Sequence, residues 1–70
     1  MNNLKKFRMM MGMTQADLSK KSGIKVRTIG SWEDGSVSLA NATFVNVIRL
    51  SAALEVDPVE LVGGDLNERL

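Results

Sequence analysis

Residues 14–35 read Thr14-Gln15-Ala16-Asp17-Leu18-Ser19-Lys20-Lys21-Ser22-Gly23-Ile24-Lys25-Val26-Arg27-Thr28-Ile29-Gly30-Ser31-Trp32-Glu33-Asp34-Gly35. Two helices that cross steeply over a turn of three or four residues can bury apolar side chains only at particular offsets. Counted from Gln15, those offsets hold Leu18, Ile24, Ile29 and Trp32. Ser19 is small where the second helix must approach the first, and Gly23 stands where the turn needs a positive φ. The stretch is therefore predicted to be a helix-turn-helix. Thr14 is a good N-cap for the first of the pair, with Asp17 where a capping box places an acidic or amide side chain. The second is expected from about Val26 to Glu33. With Ile29 and Trp32 inward, the 3.6-residue period leaves Val26, Arg27, Gly30 and Ser31 outward.

The flanks extend the helical reading. Leu4 to Met11 reads as a packing helix capped by Asn2 or Asn3 and stopped by Gly12, its inner stripe formed by Leu4, Phe7 and Met11. Met9 and Met10 read as adaptable filler or surface. Residues 36–41 form a connecting loop. From Ala42 the apolar pattern resumes with Phe44, Val47, Ile48, Ser51 and Leu54, Leu50 flanking, which predicts a core helix of about a dozen residues. Asp57-Pro58-Val59-Glu60 is a helix start, with a capping aspartate and proline at the first position, and Leu61 and Val62 complete one turn. Gly63-Gly64 breaks it, so that 1–62 is one domain and 63–70 a tail, either frayed or supporting a dimer.

Composition narrows the function classes. Seventy residues hold one domain, close to the lower size limit for folding without a metal or disulfide. There is no cysteine and no histidine, which removes thiol nucleophiles, thiolate metal sites and histidine bases. With no phosphate loop or metal-ligand cluster either, no cofactor, metal or enzymatic activity is expected, and Ser31 has no base to activate it. No apolar run is long enough to span a bilayer and the amino-terminal segment lacks the apolar stretch of a signal peptide, so a cytoplasmic location is expected. Net charge is +1, but residues 1–32 carry seven basic side chains against Asp17, or +6, while residues 33–70 carry two against seven acidic ones, or −5. Such asymmetry suggests a basic face for nucleic acid and an acidic remainder turned away.

Leu4, Phe7, Arg8, Gly12, Met13, Thr14, Gln15, Leu18, Gly23, Ile24, Thr28, Ile29, Trp32, Glu33 and Gly35 form an ordered set. Over about residues 4–62, that set resembles the phage Cro and repressor proteins and their bacterial relatives of the xenobiotic-response-element (XRE) type. The Cro/C1-type resemblance implies an all-α, five-helix lambda-repressor-like domain. It implies that Arg8 pairs with Glu33, and that Gln15 and Lys25 position the protein on the DNA backbone. Val26, Arg27, Gly30 and Ser31 then lie on the reading face, with Arg27 the best candidate for a guanine contact. The chain departs from the family pattern at Ser19 (usually Ala), Lys25 (usually Ser or Thr) and Asp34 (usually Asn). Ser19 is expected to send its hydroxyl to a carbonyl one turn back.

These readings lead to a sequence-specific double-stranded DNA-binding transcriptional regulator, expected to be a repressor. The alternative is an antitoxin or protein-interaction module on the same fold. One recognition helix touches few base pairs, so a homodimer on an inverted-repeat operator is expected, stabilised by DNA, with the fourth helix, the Val59 to Val62 turn and the Leu66 and Leu70 pair as the available apolar contact.

Overall fold

The computed structural model describes residues 2–65. Among them the chain is all-α: α1 (Leu4–Met10), α2 (Gln15–Ser22), α3 (Val26–Glu33), a 3₁₀ turn (Leu39–Asn41), α4 (Phe44–Leu54) and α5 (Pro58–Val62). Leu4, Leu18, Ile24, Ile29, Trp32, Leu50, Leu54 and Leu61 build one core, to which all five helices contribute. The five-helix expectation and the helix-turn-helix pairing hold.

Several local expectations do not. The inner side of α1 is Leu4 and Phe7 alone; Met11 lies past the end of the helix and is exposed. Neither asparagine caps α1 in the usual manner. Asn2 instead accepts from Leu4 N at 3.0 Å and donates to Trp32 O at 2.9 Å and to Asp65 Oδ2 at 3.0 Å. Asn3 donates to Glu60 O at 2.8 Å. The two side chains thus tie the start of the chain to α3 and α5. Asp57 occupies the cap position of α5 but makes no side-chain cap bond.

On α4 the cap is Thr43, whose hydroxyl accepts from Asn46 N at 3.2 Å. The buried side of this helix is centred on Leu50, Ser51 and Leu54, with Ala53 and half-buried Val47. At 100° per residue, that register leaves Phe44 at the edge of the core side and Ile48 beyond it. Both are exposed, Phe44 by 78%. The expectation that they face the core is corrected accordingly, and Leu50 is fully buried rather than flanking.

The segment read as a plain loop carries a core residue. Leu39 is fully buried, and its N–H donates to Asp65 Oδ2 at 2.9 Å. Asp65, placed in the tail by sequence, is itself buried. Burial opposes its charge, but the hydrogen bonds from Asn2 and Leu39 outweigh that and hold its carboxyl below the usual carboxylate range. Residues 63–65 are therefore part of the fold.

Candidate nucleic-acid interface

The reading unit is built from the α2–α3 turn outward. At the start of α2 the capping box is complete: Asp17 N donates to Thr14 Oγ1 and Thr14 N to Asp17 Oδ2, each at 3.0 Å. Those bonds, with the nearby charge of Lys20, hold the Asp17 carboxyl below its ordinary value. Gly23 closes α2 with φ +76°, a left-handed conformation that a side chain would strain. The Ser19 hydroxyl does not turn back along its helix. It donates across the turn to Ile24 O, pinning the residue that leads into α3.

Lys25 caps α3 with its backbone only, as its side chain makes no cap bond. The first turn of α3 then carries Val26 and Arg27, both exposed, beside exposed Lys25. Gly30 and Ser31 are half-buried. The Ser31 hydroxyl donates to Arg27 O at 3.1 Å, which leaves its oxygen free to accept. Gly30 looks toward α2: a Cβ added there would stand 3.9 Å from both amide atoms of Gln15, an ordinary contact. Gly30 is thus covered by Gln15 rather than open on the outer face, and space alone does not require glycine.

Gln15 is held in that position by Glu33, to which its Nε2 donates at 3.1 Å. The same carboxylate receives Arg8 Nε at 2.7 Å and Arg8 Nη2 at 3.1 Å, a two-pronged pair. Arg8 Nη1 reaches Met13 O at 2.7 Å. The expected Arg8–Glu33 pair is present and well enclosed, the side chains being 11% and 4% exposed. The hydrogen bond that Arg8 donates to Glu33 raises the Arg8 pKa above its ordinary value. One carboxylate therefore joins α1, α2 and α3 and sets the direction of Gln15. The link to Gln15 was not anticipated from sequence, because nothing in a linear spacing of 18 residues marks a shared acceptor.

A shallow cleft beside this junction is lined by Lys5, Gln15, Gly30, Glu33 and Asp34. Lys5 had no assigned role. Its i,i+3 relation to Arg8 was the available signal, since that spacing puts both cations on one side of α1. Asp34 is exposed, and its Oδ1 accepts from Ser36 N at 2.8 Å and Ser36 Oγ at 2.6 Å. Those bonds, the hydroxyl first, lower its pKa, so the residue stays anionic next to Lys5. Of the side chains expected to support a dimer, Val59 is exposed, but Val62 is only 8% exposed and belongs to the core. Leu66 and Leu70 lie outside the described residues.

The helix-turn-helix family model matches residues 4–61, most of the chain. This is a Cro/C1-type helix-turn-helix protein of the XRE family. No curated protein and no solved structure is found to match it. The Cro/C1-type domain is a DNA-binding regulatory domain whose partner is double-stranded DNA. None of the described helices is long and apolar enough to cross a membrane.

Proposed function

We propose that this Cro/C1-type chain is a sequence-specific repressor that binds an inverted-repeat operator as a homodimer. In this reading α3 enters the major groove and α2 lies across the backbone. The observation that supports it most strongly is the pinned α2–α3 turn, which leaves Val26 and Arg27 exposed on the first turn of a helix whose Ile29 and Trp32 are buried and whose other residues are half-buried. Arg27 offers two donors to O6 and N7 of a guanine, and Val26 a surface for a thymine methyl. Ser31 accepts from an amino group on a base edge, or turns its hydroxyl from Arg27 O to donate to a phosphate. Gln15 and Lys25, with Lys5 alongside, contact phosphate and fix register without carrying sequence information.

Selection of bound duplexes from a random library tests the proposal. The expected product is an inverted repeat whose half-sites are centred about 34–36 Å apart, one turn of DNA. A selected pool with no sequence enrichment over the input would refute sequence-specific binding, and enrichment of a single asymmetric half-site would refute the homodimer.

A further inference from the structure

Asp34 carries a charge that the local structure does not need. The residue closes α3, its N–H donating to Gly30 O at 2.9 Å. Its Oδ1 accepts from Ser36 N at 2.8 Å and from Ser36 Oγ at 2.6 Å, which ties the side chain across the turn at Gly35. A neutral amide offers the same kind of oxygen to the same two donors, so an asparagine here would hold the same turn. Among the described residues Asp34 makes no ion pair, whereas its neighbour Glu33 is matched by Arg8.

The position of that charge gives it an effect on binding. Asp34 lines one cleft with Lys5, Gln15, Gly30 and Glu33, and Lys5 and Gln15 are two of the side chains proposed above to meet the DNA backbone. With Glu33 matched by Arg8, the cleft sets Lys5 against Asp34 and carries no net charge. An exposed carboxylate with free rotamers can swing away from an approaching phosphate. This one is held at one oxygen by two hydrogen bonds, which also keep it anionic. We infer that Asp34 is a fixed repulsive charge at the DNA backbone, which weakens the hold of this cleft on the phosphates of every duplex alike and leaves sequence selection to Val26 and Arg27 on α3. Like charges brought face to face disfavour association without touching the base contacts. The inference rests on the DNA reading above and adds to it the sign of one backbone contact.

Asp34→Asn removes the charge and keeps the acceptor, while Asp34→Ala removes both. Binding of the full chain and these two variants to a random-sequence duplex of about 25 base pairs is measured by fluorescence anisotropy between about 0.05 and 0.2 M salt, where backbone contacts dominate. Thermal melts check folding. Both variants are expected to bind about two- to fivefold tighter than the parent at the lowest salt. Their slopes of log affinity against log salt should be steeper by about one, since the contacted phosphate is no longer opposed. The gain then shrinks as salt screens it. Equal binding by the parent and Asp34→Asn across the salt range overturns the inference. So does a gain confined to Asp34→Asn and independent of salt, which would come from a new hydrogen bond of the amide to phosphate. Both outcomes leave the DNA reading standing, because the parent binds in each. A parent and variants that all fail to bind duplex at the lowest salt overturn the DNA reading, and the inference with it.

Discussion

Replacing Glu33 by Gln should be far more costly than losing a surface ion pair. The carboxylate is 4% exposed and accepts three hydrogen bonds, two from a guanidinium that is itself 11% exposed. Exposed pairs contribute about 0–1 kcal/mol, whereas stripping one partner from a fully buried pair costs about 3–5 kcal/mol. With the guanidinium edge still wet, a loss of about 2–4 kcal/mol is expected for Glu33→Gln, and a similar loss for Arg8→Met, because each leaves the other charge enclosed without its counterion. A core this small supplies only about 3–5 kcal/mol in total, so either variant should be close to unfolding at 25 °C. The double variant leaves no orphaned charge and should lose much less than the sum, giving a coupling of about 2 kcal/mol. Urea titrations of the four proteins measure it, repeated in 1 M salt, where an exposed pair would be screened and this one largely retained. A coupling below about 0.5 kcal/mol would show that the three-helix junction is not held by this charge pair.

Trp32→Ala should cost about 3–5 kcal/mol by emptying the largest side chain from the core, and a melt unchanged from the parent would place the indole outside it. Arg27→Ala should leave stability nearly unchanged and weaken operator binding by about 1–3 kcal/mol with relaxed preference at one base pair; equal losses on operator and random duplex would make it a phosphate contact. Acid should destabilise the domain through Asp65. Its folded pKa is lowered, so its contribution is complete above the unfolded value near 4 and is lost as pH falls through the folded one. Asp65→Asn should flatten the melting temperature below about pH 4, leaving the smaller slope from exposed Asp17 and Asp34, whose pKa values are lowered too. An unchanged acid profile would remove Asp65 from the account.

The helices and most of the core were legible because they depend on local signals: the Leu18, Ile24, Ile29, Trp32 offsets, the Thr14 box and the Pro58 start. Legibility failed where one residue serves a distant partner. Leu39 sits between Val37 and Ala40 in a short loop with no helical or strand period to mark it as core, and its N–H is held by Asp65, 26 positions away. Asn2 and Asn3 looked like caps because their type suits a helix start, but tertiary acceptors on Trp32 and Glu60 claimed them. Phe44 and Ile48 fitted a helical stripe, yet periodicity gives the spacing of a face and not the direction in which it turns. On the candidate interface, Ile29 and Trp32 gave Val26, Arg27, Gly30 and Ser31 as the outward set, of which Val26 and Arg27 are exposed while Gly30 and Ser31 are half-buried. The covering of Gly30 by Gln15 required knowing where Glu33 points.

The Asn2 side chain also carries a consequence for how the protein is made. It bonds Trp32 O at the end of the recognition helix and Asp65 Oδ2 at the other extreme of the described chain, a separation of 63 positions. While the polypeptide emerges from the ribosome, α1, α2 and α3 can form and meet, but the clasp on the last turn of α3 has no second half until Asp65 is free. Closing so long a loop is slow relative to local helix formation. A nascent chain halted before Asp65 has Asn2 anchored to α3 alone, and its α3 is expected to be less firmly held than in the full chain.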